Sequence, residues 1–178
     1  MIYDNSWKPL SISYIIFILI ILIGFIIHAL TDEDGFLLLD YINLSFHEFG
    51  HILGGIFGDY SGLWGGTIIQ LLIPLIILIS FRLKGDIGGV AFSIFWIGEN
   101  LLYISHYIAD ARRMVLPLVG GGEHDWNIIL SDLGMLKYAI LIAGIIRVCG
   151  WVIITSSIVW FLIMTIKHSS KIHHTFPR

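Results

Sequence analysis

The sequence predicts an all-α fold: a polytopic membrane helix bundle with about five transmembrane helices and a polar re-entrant or interfacial loop before the last. Three observations predict it. Of the 178 residues, 57% are hydrophobic and only 13% are charged, about half the charged share of a soluble domain. Apolar stretches of about 20 residues, long enough to cross the hydrocarbon layer, recur with charged or glycine-rich breaks between them. Lipid offers no water to orphan backbone groups, so stretches of this kind must be helical. The same composition argues against a water-surrounded globule or a disordered tail. A formal net charge of −3, with no basic block large enough to track a phosphate backbone, argues against a nucleic-acid partner. The single cysteine, Cys149, rules out a disulfide framework within the chain and a multi-cysteine metal site.

The first expected span, residues 11–30, stops at the acidic turn Thr31, Asp32, Glu33, Asp34 and Gly35. It is too long for a signal-peptide core and lacks a small-x-small cleavage site, so it reads as a membrane anchor. The second, 36–58, holds Asp40, His47, Glu48 and His51, a costly set in lipid that must face protein or water. The third, 62–81, is apolar apart from Gln70, carries Pro74 and ends at Arg82 to Asp86. The fourth, 87–109, contains Glu99, Asn100 and His106 and runs into Asp110, Arg112 and Arg113. A polar, glycine-rich stretch, 114–136, follows, within which Asp125 or Asn127 is a candidate N-cap for a short helix through Leu133. The last span, 138–166, has Arg147 inside it and leads into a basic tail. One integral-membrane domain over residues 1–178 is expected. Five spans put the two ends on opposite sides. Arg82, Lys84, Lys167, Lys171 and Arg178 then share one side against Lys8, Arg112, Arg113 and Lys137, which favours a cytoplasmic C-terminus.

Residues 47–51 read His-Glu-Phe-Gly-His. On a helix, side chains at i and i+4 project from one face, so the two imidazoles can reach one zinc ion. Glu48, between them, can take a proton from a water whose pKa the ion lowers to about 7, and later pass it to a leaving amine. The alternative, buried histidines bonded only to neighbours, requires three polar side chains at membrane depth without a role.

This motif resembles the signature of the site-2-type intramembrane metalloproteases, His-Glu-x-x-His within a transmembrane helix. The resemblance covers the second span and implies a zinc ion, His47 and His51 as ligands, and Glu48 as general base. It also implies hydrolysis of a membrane-embedded or membrane-proximal peptide. That family takes a third ligand from an aspartate in Leu-Asp-Gly, which does not occur here, so the likeness is to a divergent branch and the remaining ligands must come from geometry.

Glu99, Tyr103, His106 and Asp110 are separated by 4, 3 and 4 residues and form a polar stripe on the fourth span. Asp40, His47 and His51 form another, which predicts that the second and fourth spans face each other. Asp110, at the end of its stripe, and His124, in the polar triplet Glu123, His124 and Asp125, are the candidate further metal ligands. The alternatives are a salt bridge from Asp110 to Arg112 or Arg113 and an exposed loop position for His124. His106 is a third option, and Asp125 is expected to orient a ligand from behind. Arg147 is expected to pair with Glu99 or Asp40, or else to stabilise an oxyanion. Gly50, Gly54, Gly58 and Gly62 recur every four residues, a small-xxx-small seam for close helix packing. His168, His173 and His174 read as a solvated basic tail.

Two other functions fit the same residues. One is an iron-dependent membrane lipid oxidoreductase, although the short-spaced histidine boxes of a membrane hydroxylase are missing. The other is a non-catalytic, metal-stabilised membrane interaction module.

Overall fold

The structure is a computed structural model that describes residues 7–31, 38–118 and 123–172, with side chains to residue 168. The acidic turn expected at 32–35, the three glycines at 120–122, and His173 and His174 lie outside the described residues. Among those described, all regular structure is helical: α1 (Ile12–Thr31), α2 (Asp40–Gly55), α3 (Asp59–Leu83), α4 (Ile87–Asp110), the short α5 (Asp125–Asp132) and α6 (Ala139–Ile172). Four are long and apolar enough to cross a membrane: α1, α3, α4 and the stretch Leu136–His168 that includes most of α6.

The sequence leads to an expectation of five spans, and α2 is the one that differs. Its 16 residues rise about 24 Å, short of the roughly 30 Å of hydrocarbon. It begins at buried Asp40, level with the middle of α4, because the Asn43 amide donates to Glu99 Oε2 at 2.8 Å. The chain ends differ as well. Lys8 N donates to Gly85 O at 2.9 Å, the Arg82 guanidinium covers the Trp7 ring at 4.5 Å, and Trp7 meets Trp160 edge-on at 5.6 Å. The start of α1 therefore lies beside the α3–α4 turn and the later part of α6, so the described ends share one end of the bundle.

Local chemistry explains the joints. Gly58, between α2 and α3, has φ +116°, a conformation open mainly to glycine, and it turns α3 back along α2. Asp86 caps α4 by accepting from Gly89 N at 2.9 Å, and the same carboxylate accepts from the Tyr14 hydroxyl at 2.8 Å, tying α1 to this turn. The central helix is α4, buried along most of its length, while α1, α3 and α6 present apolar side chains such as Phe17, Ile20, Ile76 and Val152 outward. Such a surface suits lipid, where apolar side chains need no further cover. Phe95, Leu22, Ile154 and Phe161 fill one half of the core, and Ile108, Ile129 and Leu130 the other. The Ser157 hydroxyl donates to Ala91 O at 2.6 Å and fastens α6 to α4.

The glycine seam packs α2 on α3. A β-carbon at Gly50 would run into Gly65 O, and one at Gly54 into Ser61 O. Gly58 is at the turn instead. The polar face of α2 also meets α4, as the stripes predict, through Asn43 and Glu99.

Candidate metal centre

The close α2–α3 approach decides where the two histidines sit. His47 and His51, one helical turn apart, have ring centroids 4.6 Å from each other, and a β-carbon at Gly66 would lie 2.7–2.8 Å from atoms of both rings. Only a residue without a side chain leaves them this space. From α3, Gln70 Oε1 lies 2.9 Å from His47 Nδ1 and Gly62 O lies 2.8 Å from His51 Nδ1. A backbone carbonyl can only accept, so His51 Nδ1 carries the proton and its Nε2 has the lone pair when the ring is neutral. Gln70 places His47 in the same tautomer, the arrangement found behind metal-ligating histidines.

Both Nε2 atoms point at Asp125 on α5. Asp125 Oδ2 is 2.9 Å from His47 Nε2 and 3.2 Å from His51 Nε2. Donor atoms of the three residues all lie within 4.8 Å of one another. Tetrahedral ligands at about 2.0–2.1 Å from zinc stand about 3.3 Å apart, so the spacing fits. The chemistry fits too: with each Nδ1 occupied, lone pairs and a carboxylate oxygen converge, and they repel unless a cation or protons lie between them. When protons rather than a cation fill that gap, hydrogen bonds from the protonated His47 and His51 rings outweigh burial, which alone would raise the Asp125 carboxyl, and hold it down at about 2. The Asp125 amide donates to the Tyr107 hydroxyl at 3.2 Å, and that hydroxyl lies 3.4 Å from Oδ2.

Asp110 and His124, expected as further ligands, lie elsewhere. The Asp110 carboxylate accepts from Val115 N at 3.1 Å and Leu116 N at 2.9 Å, folding the chain after α4. His124 is the N-cap of α5, its Nδ1 accepting from Asn127 N at 3.3 Å, and its Nε2 is 3.6 Å from Asp110. Burial lowers the His124 pKa even though Asp110 opposes it. His124 is in extended backbone while Asp125 is the first helical residue, so the neighbours point to different sides. Together with Asn127, whose side chain donates to Ala111 O at 2.7 Å, Asp110 and His124 seat α5 on the end of α4 and so aim Asp125. The sequence leads to an expectation of a supporting role for Asp125 and ligand roles for Asp110 and His124; the structure places Asp125, not those two, within reach of His47 and His51.

The three residues line a cavity of about 860 Å³ that Glu48, Tyr103, His106 and Tyr107 also line. Glu48 is half-buried and makes no hydrogen bond or ion pair among the described residues. Arg147 makes no ion pair among them either, and lines a separate cavity of about 270 Å³ with Asp40, so neither expected pairing forms. His168 is bonded to its own helix, at Met164 O. Gln70 was missed as a participant, although its isolation in an otherwise apolar span was the signal.

No protein-family model, curated protein or solved structure matches the chain. Function must therefore be read from this geometry.

Proposed function

We propose that the protein is a zinc-dependent intramembrane metallopeptidase that hydrolyses a peptide bond in or near the bilayer. One observation carries the reading: two imidazole Nε2 atoms, each with its Nδ1 tied from behind, converge on Asp125 Oδ2. His47, His51 and Asp125 would hold a zinc ion, which would supply a Lewis acid able to polarise a carbonyl and acidify water. Glu48, which makes no hydrogen bond or ion pair among the described residues and lines the same cavity, takes the proton of the attacking water and returns it to the leaving amine. Gln70 and Gly62 O keep the rings in register, and Tyr107 steadies Asp125. The likeness of residues 47–51 to the site-2-type motif supports the same reading, with Asp125 in place of the Leu-Asp-Gly aspartate.

Two histidines and one carboxylate also suit non-haem iron, which keeps an iron-dependent lipid oxidoreductase as a second reading. Glu48 favours hydrolysis, because iron ligation gives that carboxylate no role. We further read the end that holds Lys8, Arg82, Lys84, Lys167 and Lys171 as cytoplasmic, against Arg112, Arg113 and Lys137 at the other. The cavity mouth then faces away from the cytoplasm. Labelling of a cysteine placed at Glu123 by an impermeant reagent on intact cells is expected, and protection there with labelling only after lysis reverses the orientation.

The test of function is Glu48→Gln in purified protein. About one zinc per chain is expected to remain while peptide cleavage falls by about 10²–10⁴-fold. Full activity in this variant removes the proposed base, and stoichiometric iron in place of zinc supports the oxidoreductase.

A further inference from the structure

Charge is distributed unevenly around the large cavity. The described residues that line it include five carboxylates, Glu48, Asp59, Glu123, Asp125 and Asp132, and no lysine or arginine. Arg112, Arg113 and Lys137 belong to neighbouring segments and do not line it. Asp125 is in the metal group and Glu48 is the base. The other three carboxylates are exposed at the mouth and make no hydrogen bond or ion pair among the described residues. Helix electrostatics accounts for part of this: Asp59 opens α3 and Glu123 precedes α5, where negative charge suits the positive helix end. Asp132 is the last residue of α5, where the helix dipole disfavours it, so its charge has no local structural use.

A divalent ion offsets only part of the negative charge. The apolar walls, with Leu44, Leu63, Pro117 and Ile128, have little capacity to screen the remainder and focus it into the cavity. We infer that the substrate is a peptide carrying lysine or arginine side chains close to the bond that is cut, selected by Asp59, Glu123 and Asp132. This rests on the peptidase reading, which supplies the peptide. The apolar walls receive the residues flanking the bond, and the basic side chains reach back to the mouth carboxylates. A peptide with acidic side chains at the same places is repelled.

The test measures binding apart from cleavage. Zinc-loaded Glu48→Gln protein in neutral detergent is titrated with N-acetylated, C-amidated peptides that have an apolar centre flanked by two lysines, two acetyl-lysines or two glutamates. The lysine peptide is expected to bind roughly tenfold or more tighter than the acetyl-lysine peptide, with the gap narrowing as salt is raised. Adding D59N, E123Q and D132N together is expected to abolish the preference at unchanged zinc content. If that combination does not fold, Asp132→Asn alone, at the exposed end of α5, is expected to narrow it. Equal binding of the lysine and acetyl-lysine peptides, or a preference untouched by these substitutions, overturns the inference. Cleavage assays on the parent protein separate the two claims: a binding preference without any cleavage refutes the peptidase and leaves the charge selection standing. Cleavage without preference refutes the selection alone.

Discussion

Helix α2 carries two polar clusters one after the other, and they are built differently. Near its start, Asn43 is wholly enclosed. Its amide nitrogen donates to Asp40 Oδ1 at 3.2 Å and Glu99 Oε2 at 2.8 Å, and its oxygen accepts from Trp96 Nε1 at 2.7 Å and Asn100 Nδ2 at 3.0 Å. All four hydrogen-bonding positions of that amide are in use. One to two turns later, His47 and His51 are tied only at Nδ1, and their other nitrogens meet a carboxylate at the edge of the large cavity. Exposure separates His51 from the enclosed cluster: Asn43 is 0% exposed and the His51 side chain 27%, whereas the His47 side chain, at 5%, is buried. Polar groups at membrane depth are costly in both places. Where donors and acceptors match, the cluster locks helices together. Where acceptors face acceptors beside open space, it is suited to bind a cation.

Substitutions can break this contrast. The largest effect is expected from Asp125→Ala, which removes the only acidic member of the open cluster and should abolish stoichiometric zinc, read by metal analysis of the purified protein. Gln70→Ala comes next: with His47 Nδ1 unsupported, zinc affinity should fall about 10–100-fold in a competition titration with a chelator. Unchanged affinity there would show that the ring is held some other way. Asn43→Ala sharpens the comparison from the other side. It orphans partners on α2 and α4 and should destabilise the protein by on the order of 3 kcal/mol in thermal unfolding, while zinc stoichiometry is retained. Loss of zinc in that variant would mean that the two clusters are one unit. The smallest effect is expected from Asp110→Asn, which keeps one oxygen for the loop amides and should leave zinc bound. Loss of metal with the fold intact would return Asp110 to the ligand set.

How far the sequence reveals these clusters depends on the range over which each was built. The spacing of His47 and His51 is legible because it needs only helical periodicity. That the second and fourth spans face each other follows from two polar stripes that have nowhere else to turn in lipid, although Asn43, which makes the contact to Glu99, belongs to neither stripe. Asp125 lies 78 residues from His47, and its role depends on how Asp110, His124 and Asn127 seat a two-turn helix, which no periodicity encodes. The difference between about five expected spans and the four described helices that are long and apolar enough to cross a membrane has a related reason. Hydropathy registers that residues 36–58 are largely apolar, but not that α2 begins halfway along α4 at Asp40, nor that the segment before α1 returns to Gly85.

The central claim is that His47, His51 and Asp125 hold one transition-metal ion. X-ray absorption spectroscopy of the purified protein beside its Asp125→Ala variant tests it most directly. The expected result is about one zinc per chain with two imidazole nitrogens and a carboxylate oxygen at about 2.0–2.2 Å, lost in the variant. A folded parent protein without bound metal, or an identical ligand shell in both proteins, would contradict it.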